Sequence, residues 1–176
     1  GWAKWPHARI GVPTGAASGL WRLDIDRPKK QGDIDGLDSL QALLDKHGPL
    51  PTTATETTPS GGTHYFFKYD PKYQFSNSAK KIAPGIDIKT ERGMAIIAPS
   101  VIPNVGKYTA GKSIQEYISD LKNAAEAPAW LVELALGNKE VPKATKKIVP
   151  ASNTPYGLKA LAEEVSNGHA SFSQSF

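Results

Sequence analysis

Leu20-Trp21-Arg22-Leu23-Asp24-Ile25-Asp26 decides how the chain is read. Trp21, Leu23 and Ile25 alternate with Arg22, Asp24 and Asp26, and a period of two marks a strand with one buried face. On the polar face Asp24 and Asp26 point the same way, about 6.6 Å apart along the chain by the rise per residue. Carboxylates so spaced suit hard divalent ions such as Mg2+ or Mn2+. Two such ions, about 3.5–4 Å apart, serve in-line phosphoryl displacement. A solvated strand face carrying acids has the same pattern, so the pair alone leaves both readings open.

Downstream, Asp35 stands where a helix N-cap belongs, ahead of Leu37, Leu40, Leu43 and Leu44 on one face and a Gly48-Pro49 stop. Residues 52–58 are Thr-rich and read as a strand, 59–62 as a turn, and 64–69 as the partner strand of a hairpin. Residues 70–85 read as polar loop. Residues 86–89 and 94–98 are further strands, and Asp87 points away from the face that Ile86 and Ile88 bury. Upstream, glycines and prolines break residues 1–20 into loop with one short strand at most. After residue 110 the pattern turns helical. Ser113 and Glu116 form a capping box before Ile114, Tyr117, Ile118 and Leu121, and residues 128–136 make a short helix closed by Gly137. Strands followed by helices predict an α+β domain over residues 1–137, with helices on one side of the sheet. Residues 138–153 read as a linker, and 154–176 as the start of a following helical segment.

The 176 residues include four Trp, six Tyr and five Phe, a composition that excludes wholesale disorder. Without Cys there is no disulfide framework, thiolate metal site or Cys nucleophile. No apolar run approaches the roughly 20 residues of a membrane helix, and no signal peptide follows Gly1. A cytoplasmic location is therefore expected. The net charge of +4 permits a polyanionic partner without requiring one. With Gly first and Met94 the one methionine, the chain reads as a piece of a longer protein.

The turn Ser60-Gly61-Gly62 is a candidate phosphate cradle, because Gly-rich turns can present backbone N–H groups, and His64 beside it is a candidate donor. Arg27 and Lys29 follow the acid pair and are candidates for template or primer phosphates. A stronger-looking match, Gly106-Lys107-Tyr108-Thr109-Ala110-Gly111-Lys112-Ser113, satisfies the Walker A pattern letter for letter. Two prolines in residues 99–105 make a poor central strand before it. No Walker B strand follows, and the capping box explains Ser113, so an ATPase reading is discounted. Trp130 reads as core; Trp2 and Trp5 are left unassigned.

Four stretches in order, residues 19–26, 58–64 (Thr-Pro-Ser-Gly-Gly-Thr-His), 84–89 (Pro-Gly-Ile-Asp-Ile-Lys) and 98–100 (Ala-Pro-Ser), resemble the bifunctional primase–polymerase (Prim-Pol) family. That family belongs to the archaeo-eukaryotic primase superfamily and occurs in replication proteins of plasmids, phages and prophages. The resemblance covers about residues 9–137. It implies an RRM-like antiparallel sheet carrying the active site, and a DNA primase and polymerase that is a metal-dependent, template-directed nucleotidyltransferase. It implies Asp24, Asp26 and Asp87 as the metal-binding catalytic acids, with Mg2+ or Mn2+ as cofactor. His64 joins them as a catalytic residue and, with Ser60, meets the incoming triphosphate, and Lys89 meets its phosphates. The implied partners are DNA template and primer, nucleoside triphosphates, and a helicase domain C-terminal in the full-length protein. Arg9 stands where the family commonly has Asn, and an N-terminal segment usual in the family is expected to be missing. A metal-dependent nuclease or phosphodiesterase would use the same acids. A non-catalytic module for single-stranded nucleic acid would use none of them.

Overall fold

The alternation in residues 20–26 resolves into β2 (Leu20–Ile25), the central strand of a five-stranded antiparallel sheet. The computed structural model describes residues 8–73 and 77–137 together with Lys4, without the side chains of residues 78–81. Before β2 lies β1 (Ile10–Pro13), and after it come α1 (Gly36–His47), β3 (Ala54–Thr57), β4 (Thr63–Lys68), β5 (Ser78–Ala83), β6 (Ile86–Lys89) and β7 (Met94–Ile97). The short strands β8 (Val101–Ile102) and β9 (Gly106–Lys107) precede α2 (Ile114–Lys122) and α3 (Ala129–Leu136). The main sheet runs β3-β4-β2-β6-β5, while β1 pairs with β7 and β8 with β9 as separate ribbons. The α+β class is as expected. The linker and following segment assigned to residues 138–176 lie outside the described residues.

Three expectations are corrected. Residues 70–85 are not all loop, because β5 forms the outer edge beside β6, with an irregular register between Ser78 and Ala83. Its Ser-Ala-Lys-Lys-Ile-Ala sequence lacks alternation, and Lys-bearing edges are how sheets resist further pairing. The helices do not gather on one side. Leu40 of α1 and Leu131, Val132 and Leu136 of α3 pack with Trp21, Leu23, Ile25, Phe67, Ile86 and Ile88 on one face. On the opposite face Tyr117, Ile118 and Leu121 of α2 pack with Leu20, Ala54 and Phe66 and with the β1–β7 ribbon. The sheet has apolar side chains on both faces at its β3–β4 end, so each face needs its own cover. Finally, Leu37 is exposed, and the buried stripe of α1 is carried by Leu40 with Leu43 and Leu44 beside it.

The Walker-like segment serves local structure. Ser113 caps α2 reciprocally with Glu116, and Lys112 pairs with Asp120 at 2.6 Å. Thr57 and Thr109 exchange backbone hydrogen bonds of 2.8 and 3.0 Å, which covers the free edge of β3.

Close packing of two glycines sets the end of β2. Asp26 N–H donates to the Gly85 carbonyl at 2.8 Å, and Gly36 N–H donates to the Asp26 carbonyl at 2.9 Å. A Cβ on Gly36 would stand 2.6 Å from the Asp26 carbonyl oxygen and closer still to that of Gly85. Gly36→Ala is therefore expected to lower stability by about 1–3 kcal/mol, as overpacking does, read as a reduced urea midpoint. Lys112→Ala removes an exposed ion pair and should shift stability by less than about 1 kcal/mol.

Candidate active site

Antiparallel registers bring distant residues onto one rung. Asp24 stands opposite His64 of β4 on one side and Asp87 of β6 on the other, and His64 stands opposite Glu56 of β3. The rung Glu56–His64–Asp24–Asp87 thus crosses four strands, with Cα neighbours about 4.5–5.5 Å apart. All four side chains leave the same face, because successive residues of a strand alternate faces. The adjacent rung on that face is Ala54–Phe66–Arg22–Lys89.

Acidic and basic side chains alternate along the buried part of this strip. Glu56 has a fully buried side chain, and its Oε1 lies 2.7 Å from His64 Nδ1. Its Oε2 accepts from Tyr117 Oη and from Ala98 N–H, both at 2.7 Å. A carboxylate only accepts, so the proton of that contact sits on His64 Nδ1. The other ring nitrogen, Nε2, lies 3.4 Å from Asp24 Oδ1, an ion-pair distance longer than a good hydrogen bond. Arg22 Nη2 donates to Asp24 Oδ2 at 2.9 Å. Burial alone would raise the Asp24 pKa, but the His64 contact and the charges of His64, Arg22 and Lys29 outweigh it and hold the group below its ordinary value. Burial likewise opposes protonation of His64, and contacts with Asp24 and Glu56 outweigh it, so its pKa is raised. Burial and the neighbouring Glu56 push the Tyr117 hydroxyl far up, which keeps it a donor.

Asp26 lies one residue past β2, and its Oδ1 is 2.8 Å from Lys29 Nζ. That hydrogen bond leads the rise in the Lys29 pKa, and after burial, which opposes it, the charges of Asp26, Asp24 and Asp87 add to the rise. The Ser60 turn packs against the same end of β2, where a Cβ on Gly62 would collide with the Ile25 carbonyl oxygen. The turn's glycine amides are not presented outward. Gly61 N–H donates to the Thr58 carbonyl at 2.9 Å, and Gly62 N–H to Thr58 Oγ1 at 3.0 Å. Ser60 itself is exposed, with its hydroxyl 3.1 Å from that of Thr58. Arg27 pairs with Asp35 at 3.1 Å beside this turn, and Lys89 is half-buried on the rung beside Arg22.

A family model for the N-terminal domain of bifunctional DNA primase/polymerase matches residues 1–130. The chain belongs to the Prim-Pol family. No curated protein matches the sequence. Prim-Pol membership makes this a nucleotidyltransferase-type domain of the primase/polymerase kind, for which DNA and nucleotides are the implied partners. Among the described residues no helix is long and apolar enough to cross a membrane.

Within this Prim-Pol domain the predicted Asp24, Asp87 and His64 share a rung, Lys29 pairs with Asp26 just past β2, and Gly61 and Gly62 of the Ser60 turn approach Arg27 and Ile25. Among the described residues, however, no three acidic or histidine side chains are drawn together closely enough to hold one ion as they stand. His64 is only 2% exposed, with Nε2 covered by Asp24. Glu56, Arg22 and Tyr117 were not singled out from the sequence. Parity was the available signal for two of them: Glu56 shares the face of Ala54, and Arg22 that of Asp24. Removing one member of a buried pair strands the other charge. Arg22→Met is expected to lose about 3 kcal/mol in urea unfolding. Arg22→Met combined with Asp24→Asn should lose less than the sum of the single changes, by about 1 kcal/mol or more.

Proposed function

We propose that the domain joins nucleoside triphosphates to a primer 3′-hydroxyl on a DNA template, as a metal-dependent DNA primase/polymerase. The observation that carries the reading is the Asp24↔Asp87 register, with Asp26 two residues beyond Asp24 and paired with Lys29 at 2.8 Å. A donor set of hard carboxylate oxygens fits Mg2+ or Mn2+. Asp24, Asp26 and Asp87 would hold the ions once Lys29 withdraws from Asp26. Bound there, the ions would supply Lewis acidity at the α-phosphate and ease deprotonation of the attacking hydroxyl.

The remaining roles follow from position. Ser60 on the exposed turn and Lys89 beside the acids are assigned to the triphosphate. Asp24 is the partner His64 Nε2–H must leave to reach a phosphate oxygen, and the 3.4 Å contact is loose enough to exchange. Gly61 and Gly62 act by letting the turn approach β2, since their amides are engaged with Thr58. Arg27 and a displaced Lys29 are assigned to primer or template phosphates. The setting for this activity is a phage, prophage or plasmid replication protein with a helicase domain C-terminal to the domain.

Primer extension with labelled triphosphates tests the reading. Extension should require Mg2+ or Mn2+ and stop with EDTA. Asp24→Asn and Asp87→Asn should each slow it at least about a hundredfold, equivalent to roughly 3 kcal/mol of lost charge stabilisation. Shortening of labelled DNA without extension would assign the same acids to a nuclease. Lys29→Met removes the competing ammonium and should lower the Mn2+ concentration that gives half-maximal rate; an increase would mean Lys29 does not compete with the ion.

A further inference from the structure

Glu56 is an acid that the proposed metal chemistry does not use, on a strand with no other ionisable residue. A buried carboxylate persists only when its oxygens are fully satisfied. Three donors from three parts of the chain satisfy this one: His64 Nδ1 on β4, Tyr117 Oη on α2, and Ala98 N–H just after β7, each at 2.7 Å. Two of them end at Glu56. The imidazole continues, because its far nitrogen faces Asp24. The ring is also bounded by Phe66, edge-on with centroids 6.0 Å apart, and by Tyr108 at 5.7 Å. Anchoring Nδ1 therefore fixes which nitrogen meets the acid cluster.

We propose that Glu56 is a positioning residue for His64: it holds Nδ1–H, so that Nε2 is directed at Asp24 and at whatever phosphate replaces that contact, and Tyr117 steadies Glu56 from α2. The phosphate half of this proposal rests on the nucleotidyltransferase reading, whereas the orientation of the ring does not. It also gives α2, whose Walker-like approach is engaged in a helix cap and an ion pair, a connection to the site through Tyr117. Partners that orient a reacting or metal-binding side chain from behind are typically worth about 10–100-fold in activity or metal affinity.

The test uses the full 176-residue chain labelled with 15N-histidine. Long-range 1H–15N correlation spectra are recorded, with His64 assigned by its loss in His64→Gln. The wild type should show a proton on His64 Nδ1. A bare Nδ1 in the wild type overturns the proposal whether or not any variant folds. In Glu56→Gln the amide oxygen must serve the fixed donors Ala98 N–H and Tyr117 Oη. Its NH2 then faces the ring, and the Nδ1 proton should disappear. Persistence of that proton in a folded Glu56→Gln protein also overturns the proposal. Tyr117→Phe keeps the carboxylate and should retain the Nδ1 proton with faster solvent exchange; loss of the proton in this milder variant would show that Glu56 is not the anchor. In primer extension, Glu56→Gln should lower kcat about 10–100-fold with primer affinity unchanged. An unchanged kcat alongside a lost Nδ1 proton would reduce Glu56 to a structural role. A wild type that shows no extension at all would sink the polymerase reading and leave the spectroscopic result standing.

Discussion

Buried charge must be compensated, and that constraint organises the functional end of this sheet. Glu56, His64, Asp24 and Arg22 have side chains 0%, 3%, 16% and 8% exposed, in an order that alternates acidic and basic groups. Any one of them alone would be strongly disfavoured there. Together they partner one another through contacts of 2.7, 3.4 and 2.9 Å. The same contacts specify strand pairing. A one-residue slip of β4 against β2 would turn His64 toward the face lined by Leu23, Ile25 and Phe67 and leave Glu56 and Asp24 without the imidazole between them. The strip that carries the candidate site therefore also sets the register, and the apolar side chains on both faces hold it there.

Much of this was legible in the sequence. The alternation around Trp21, Leu23 and Ile25 identifies β2 and its polar face, the Ser113–Glu116 box identifies the start of α2, and Asp35 caps α1 with its carboxylate 2.9 Å from Leu37 N–H. Local signals carry such features because local geometry causes them. Register is a property of two strands, so nothing within residues 20–26 reveals that Asp87 will stand opposite Asp24. The β5 edge strand was missed for the same reason: pairing with β6, not its own composition, makes it a strand. Asp26 was expected on the strand with Asp24, yet the strand ends at Ile25, and the Gly36–Gly85 contact sets where its backbone goes. Glu56 was hidden in a Thr-rich stretch because a single acid in a strand reads as solvated until the opposite strand supplies a histidine.

The two phosphate-binding patterns in the chain had opposite outcomes. The Walker-like octapeptide is the more explicit motif, but its Lys112 pairs with Asp120 and its Ser113 caps a helix. The bare Ser-Gly-Gly turn is far weaker as a pattern, yet it packs on the end of β2 next to Asp26 and Arg27. They differ in position: the Ser-Gly-Gly turn lies beside the end of β2, and the Walker-like segment leads into α2. The Prim-Pol family match, which spans every strand of the main sheet, agrees with that centre of gravity.

The account turns on Asp24 and Asp87 sharing a divalent ion across the β2–β6 pairing. Crystals grown with Mn2+ and a non-hydrolysable nucleoside triphosphate, measured at a wavelength where manganese scatters anomalously, test this directly. The predicted result is an anomalous peak about 2.1 Å from a carboxylate oxygen of each residue, with Lys29 withdrawn from Asp26. Manganese bound elsewhere, with Arg22 and His64 still closed on Asp24 beside a bound triphosphate, would contradict it.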